Sequence, residues 1–234
     1  MRIAMMQPYF FPYIGYFQLM NSVDEFVVYD NIQFTKKGWI SRNRILVNGS
    51  DAYISLTLKK DSDFLNVDQR YLADTWPADR KKILNRITES YRKAPYFKEV
   101  YPLIETCILH EELNLFKFIF NSLIEVKNYL EIKTKLTISS EIEIDHELKS
   151  ENKVMAICNA KKANIYINPI GGLVLYDKER FIQKKLILQF LKSDNIIYPQ
   201  LNNEFIPFLS VIDFMMFNSK VEIIEHLKSS LTLQ

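Results

Sequence analysis

Glycine is scarce in this chain, with five in 234 residues. No Gly-Lys-Ser/Thr closes a glycine-rich stretch, so a Walker A phosphate loop is excluded. No Gly-x-Ser-x-Gly elbow occurs either, which argues against a serine-hydrolase triad. Cysteine is scarcer still. Cys107 and Cys158 are the two present, both in apolar helix-like runs, and they read as reduced core thiols rather than a disulfide framework. The three histidines, His110, His146 and His226, form no His-Glu-x-x-His, and no Cys-x-x-Cys accompanies them. No metal site is therefore expected. No apolar run reaches the roughly 18 residues of a spanning helix; the apolar stretch 205–217 is broken by Asp213. Gln7-Pro8 interrupts the first apolar run after a single arginine, so no signal peptide is expected, and the expected location is cytoplasmic. Neither sign of charge dominates: 30 basic and 28 acidic side chains leave a net charge of +2. That balance lacks the basic excess of a nucleic-acid binder and is compatible with a small phosphate site.

What is present is a large apolar fraction, 48% of residues, enough for one sizeable core. Arg2–Met6 reads as a buried strand, 13–21 as a helix and 25–29 as a second strand, a βαβ unit whose strands pair in parallel. Strands 44–47 and 52–58 flank Asn48-Gly49, the signature of a type I′ hairpin. Residues 79–93, 96–109 and 113–130 have helical spacing. Then come a strand at Lys135–Ile138, a helix at 152–160, a strand at 165–167 stopped by Asn168-Pro169, a helix at Lys178–Gln183 and a strand at 186–190. The chain ends in helices at 208–217 and 221–227, the latter opened by a Ser219/Glu222 capping box. The expected fold is α/β, a mostly parallel Rossmann-like sheet with an inserted β-hairpin and a helical lobe. Residues 1–77 would form an N-terminal half with the hairpin, 78–133 the helical lobe, and 134–234 a C-terminal half completing the same domain.

Four segments stand out chemically. In Gln7-Pro-Tyr-Phe-Phe-Pro-Tyr-Ile-Gly-Tyr-Phe17, six aromatic residues crowd into eleven positions beside two prolines. Gln7, Tyr9, Tyr13, Gly15 and Tyr16 are candidates there for holding a sugar ring or a base, and the free N–H groups near Tyr13 for an anion. The stretch from Asp30 to Arg44 places Gln33, Lys36, Lys37, Arg42, Asn43 and Arg44 around Trp39, a basic set suited to a diphosphate. A solvated basic turn is the plainer explanation of the same residues. In the third segment, Asn168, Gly171, Gly172, Tyr176 and Asp177 combine exposed backbone N–H groups with a polar edge, although Asp177 also reads as the N-cap of the following helix. The fourth carries Asp213 on an apolar helix, where a carboxylate needs a partner.

These blocks carry a resemblance. Gln7 to Phe17, Lys37-Gly-Trp-Ile-Ser-Arg-Asn43, Tyr166-Ile-Asn-Pro-Ile-Gly-Gly172, Leu175-Tyr-Asp177 and Phe208-Leu-Ser-Val-Ile-Asp213 occur in the order of the WbqC-like family. Ser41 departs from the asparagine of the family pattern. The resemblance implies a role in O-antigen or other surface-polysaccharide synthesis. It implies transfer of an acyl or aminoacyl group to the amine of a sugar or nucleotide-linked sugar. The donor would be a thioester on coenzyme A or an acyl carrier protein, with no nucleic acid and no membrane insertion. On that expectation the basic segment holds phosphate, Tyr9, Tyr13 and Tyr16 stack on the acceptor, Asp30 or Asp213 takes the amine proton, and N–H groups near Gly171-Gly172 hold the oxyanion. Two alternatives stay open. The opening also resembles nucleotidylyltransferases of the HIGH-motif group, with Tyr13 and Tyr16 where that motif has histidines, and a non-catalytic glycan-binding or scaffold protein would need no catalytic set.

Overall fold

The computed structural model describes residues 1–201, 204–229 and 231–234. Strands β1 (Arg2–Met6) and β2 (Glu25–Val28) are joined by helix α1 (Ile14–Asn21) and pair in parallel, Ile3 opposite Glu25. Hairpin β3 (Arg42–Val47) and β4 (Ser50–Ser55) follows as a separate antiparallel pair. Its turn has φ of 49° at Asn48 and 77° at Gly49, the left-handed values that the Asn-Gly pair supplies at low cost. Helices α2 (Trp76–Tyr91), α3 (Phe97–Leu109) and α4 (Leu115–Tyr129) come next. Then β5 (Lys135–Ile138), α5 (Ser150–Ala160), β6 (Ile165–Pro169), α6 (Lys178–Gln183) and β7 (Ile187–Ser193) return the chain to the sheet, and α7 (Val211–Phe217), α8 (Lys220–Ser229) and β8 (Leu231–Leu233) close it.

The main sheet has the order β5-β2-β1-β6-β7-β8, parallel throughout except for β8. The strands are apolar on both faces, and the pleat divides them. Ala4, Phe26 and Val28 join a cluster with α1, α7, α8 and the helical segment α2–α4. Ile3, Met5 and Val27 point the other way, against Val154, Ile157 and Cys158 of α5 and Phe181 of α6. Burying both faces is what makes a parallel sheet stable. Among the described residues no helix is long and apolar enough to cross a membrane.

Several boundaries differ from the sequence reading: the hairpin strands are Arg42–Val47 and Ser50–Ser55 rather than 44–47 and 52–58, and β6 runs through Asn168-Pro169, which was expected to stop it. Two further shifts and one unexpected strand have local reasons. Helix α2 begins at Trp76 because Pro77 is tolerated in a first turn, where its missing N–H is not needed. Helix α7 begins at Val211 rather than at 208, since Phe208 has a φ of 57° and Ser210 caps the helix by accepting from the Ile212 N–H. Strand β8 has only three residues, too few to show alternation, and pairs with the far end of β7.

Candidate functional site

The strand order reverses between β1 and β6, and the chain leaves the carboxyl ends of those two strands in opposite directions. In an open α/β sheet that divergence opens a crevice. A cleft of about 820 Å³ lies there, within the size range of small-molecule sites. Met6, Gln7 and Tyr9 line it from β1, Tyr29, Asn31 and Gln33 from β2, and Asn168, Gly171, Gly172 and Tyr176 from β6. His146, Lys149, Ser150 and Lys153 line it from the entry and first turn of α5, with Phe64 and Asn66 also at its wall.

Each element earns its place through specific contacts. Residues 7–12 are held in shape by distant parts of the chain. The buried Asn43 amide donates to the carbonyls of Phe10, at 3.1 Å, and Phe11, at 2.8 Å. Ser210 Oγ donates to the same Phe11 carbonyl at 2.8 Å, and the Phe10 N–H donates to the Ile40 carbonyl at 3.1 Å. This bracing fixes Phe11 at a φ of 42° and leaves Gln7 and Tyr9 at the cleft. Tyr16 is buried and donates to the Gln7 carbonyl at 3.1 Å, so its hydroxyl positions backbone. Across the cleft, Asn168 Oδ1 accepts from Tyr166 Oη at 2.9 Å, and its Nδ2 donates to the Pro169 carbonyl at 3.0 Å. Gly172 makes room for that amide: a Cβ there would sit 2.0 Å from Asn168 Nδ2, whereas one on Gly171 would meet nothing within 4 Å.

The cationic groups come from α5. Lys153 is buried on its first turns, with Nζ 3.1 Å from Asn31 Oδ1 and 5.7 Å from the centre of the Tyr29 ring. Burial lowers its pKa, while Asp30 and Glu147 oppose the shift. The N–H groups at the start of α5 add positive partial charge to Lys149 and Lys153. Burial raises the Tyr9, Tyr29 and Tyr176 phenols above their ordinary pKa, so all three face the cleft as neutral hydrogen-bonding groups. The cleft thus combines Lys149 and Lys153, with Glu147 beside them, at the α5 end and neutral phenols along its wall.

Three of the four segments singled out in the sequence reach this cleft, each only in part, and the fourth, around Asp213, does not. Gln7, Tyr9, Gln33, Asn168, Gly171, Gly172 and Tyr176 line it. Tyr13 instead folds over Gly15, whose absent Cβ would lie 2.3 Å from the ring, and packs edge-on to Phe208 in a smaller hollow beside Tyr198. The basic segment is used on its own surface. Lys36 pairs with Asp63 at 2.6 Å and Arg44 with Asp51 at 3.2 Å. Arg42 donates to the Lys37 carbonyl and covers the Tyr53 ring, and Arg44 covers Trp39. Asp177 caps α6 by accepting from the Glu179 N–H at 2.9 Å.

Neither of the two carboxylates named as candidate bases lines the cleft, and both are hydrogen-bonded inside the fold. Asp30 is buried, accepting from Ser139 Oγ at 2.7 Å, the Ser140 N–H at 2.9 Å and Ser140 Oγ, which ties β2 to the turn after β5. Asp213 is fully buried and accepts from Tyr91 at 2.9 Å, Tyr198 at 2.7 Å and Gln200 at 2.7 Å. Burial pushes both cysteine thiols up to about 12, so neither is a ready thiolate. Among the described residues no group of three or more His, Cys, Asp or Glu is placed to hold a metal ion. Sequence reasoning passed over Asn31, His146 and Lys153. Lys153 lies in a polar Ser-Glu-Asn-Lys run that reads as a solvated helix start, and only the crossover from β5 to β6 carries it under the cleft.

The model of the WbqC-like protein family matches residues 7–225. The chain belongs to the WbqC-like protein family. That span takes in every residue that lines the cleft except Met5 and Met6. An uncharacterised protein of Mycobacterium tuberculosis, Rv1507c, is 27% identical over 230 residues, covering 97% of each chain. No solved structure gives a significant match. The WbqC-like sequence blocks gain a physical explanation from the contacts above. Asn43 and Ser210 come from separate blocks, yet both hold the carbonyls of the proline-aromatic loop.

Proposed function

We propose that this WbqC-like protein transfers an acyl or aminoacyl group from a thioester to the amine of a nucleotide-linked amino sugar, in the synthesis of a surface glycan. The observation that carries the reading is the cleft at the reversal of strand order. It combines a cationic end, at Lys149, Lys153 and the start of α5, with an aromatic wall of Tyr9, Tyr29 and Tyr176. The cationic end suits phosphate and the wall suits a sugar or base. The amine nitrogen attacks the thioester carbonyl, the carbon–sulfur bond breaks, and the thiolate leaves with the proton that the amine gives up. The donor's thiol is coenzyme A or the pantetheine arm of a carrier protein.

The test is thiol release from a panel of acyl and aminoacyl thioesters in the presence of nucleotide-linked amino sugars. Release should require the amine, and the product should gain the acyl mass. A matched sugar bearing hydroxyl in place of the amine should give none. Neither turnover nor binding across the panel would remove the proposal, and ATP-dependent release of pyrophosphate would replace it with nucleotidyl transfer.

A further inference from the structure

Asn31, just past the end of β2, stands between two groups that line the cleft. Its Oδ1 is 3.1 Å from Lys153 Nζ, and its Nδ2 is 2.9 Å from His146 Nδ1. Ser139 Oγ lies 2.8 Å from the same Oδ1. An ammonium group has donors only, so the amide must turn its oxygen toward Lys153. Its NH2 then points at His146, and Nδ1 of that ring must accept. A neutral imidazole that accepts at one nitrogen carries its proton on the other. The direction of the hydrogen bonds is therefore set at the lysine and passed through the amide to the histidine.

We infer that Lys153, Asn31 and His146 form a one-way hydrogen-bond relay that holds His146 as its Nε2–H tautomer, a fixed hydrogen-bond donor to an oxygen of the bound ligand. The relay itself follows from the geometry. Which oxygen it serves rests on the proposed acyl transfer: there it is the thioester carbonyl oxygen, which gains negative charge as the amine attacks. His146 donates a hydrogen bond to that oxyanion and keeps its proton, while the amine proton leaves with the thiolate. His146 is thus the catalytic residue, and Asn31 and Lys153 are positioning residues. The single Ser139 proton has two acceptors in reach, Asp30 Oδ1 at 2.7 Å and Asn31 Oδ1 at 2.8 Å, and it supports this amide orientation when given to Asn31.

Nitrogen-detected NMR of the histidine rings in the ligand-free protein reads the tautomer directly. Wild-type His146 is expected as Nε2–H; an Nδ1–H signal would overturn the relay, and this measurement needs no variant. Asn31→Asp replaces the amide by two acceptors, so His146 should move its proton to Nδ1. Lys153→Met should give a mixture of tautomers, and Lys153→Arg should restore Nε2–H. An unchanged Nε2–H tautomer in both Asn31→Asp and Lys153→Met, with folding retained, would show that the relay does not set the ring. In turnover, His146→Ala should lower kcat by about 10²- to 10³-fold with KM little changed, the signature of a lost oxyanion donor; an unchanged kcat would remove the catalytic role. Because the tautomer is read without substrate, a failure of thioester turnover would remove the acyl-transfer reading and leave the relay standing. An Nδ1–H signal would do the reverse.

Discussion

At the scale of single residues, the two adjacent glycines after β6 look alike in sequence and differ in structure. Gly172 faces the Asn168 amide, which is buried, short and hydrogen-bonded at both ends, so a methyl group 2.0 Å from Nδ2 cannot be absorbed by a swing of a long side chain. Gly171 faces open space. Neither has a positive φ, so the difference is one of room and not of backbone strain. Gly172→Ala is expected to push Asn168 away from Tyr166 and to cost about 1–3 kcal/mol through the broken buried hydrogen bond. Gly171→Ala should stay within about 0.5 kcal/mol of wild type. Urea denaturation of the pair checks this, and equal midpoints would show that Asn168 is not held as described.

At the scale of elements, Asp213 is the point where four parts of the chain meet. Tyr91 at the end of α2 donates to its carboxylate and accepts from the Leu46 N–H of β3 at 2.9 Å, while Tyr198 and Gln200 reach it from the segment before α7. Burial raises the Asp213 pKa above 3.8, and the three donors oppose that shift. The sign follows from proton counting. Between the unfolded and the raised folded value the native state binds more protons, so this group's contribution to stability falls as pH rises through that window. Asp213→Asn should flatten that fall, seen in denaturation midpoints taken upward from about pH 4. Asp213→Ala should cost about 3–5 kcal/mol at neutral pH, because it strands buried donors. A pH profile of Asp213→Asn parallel to wild type would place the titration elsewhere. The same clamp shows what a sequence can and cannot say. Asp213 in an apolar helix announces that it needs a partner, but Tyr91 is 122 positions away and nothing local names it. The strand β1, a short apolar run stopped by Gln7-Pro8, and the hairpin, turned by Asn48-Gly49, are legible because local sterics decide where they end. The start of α7 is not, because Phe208 takes a φ of 57° that its residue type does not announce.

At the scale of the whole molecule, the cleft belongs to both ends of the chain. Gln7, Tyr9 and Asn31 come from the first two strands; Lys153, Asn168 and Gly172 come from residues more than a hundred positions later, with the hairpin and three helices between. That is why half of the site was visible in the sequence and half was not. Proline-aromatic and Gly-Gly segments announce themselves by composition, whereas Lys153 becomes a cleft residue only when the β5–α5–β6 crossover lays the start of α5 beside β1. A ligand in this cleft must contact both sequence halves, so it should stabilise the fold globally and not one loop. A nucleotide-linked amino sugar at a hundredfold excess over its Kd should raise the unfolding free energy by about 2.7 kcal/mol. Hydrogen exchange should slow together around Tyr9, Asn31, the first turn of α5 and Gly171-Gly172. The Arg42–Val47 and Ser50–Ser55 strands, with their Trp39, Arg42 and Tyr53 surface, should exchange as in the free protein. Protection confined to that hairpin surface would move the ligand off the sheet's reversal point and onto the arginine-covered aromatics.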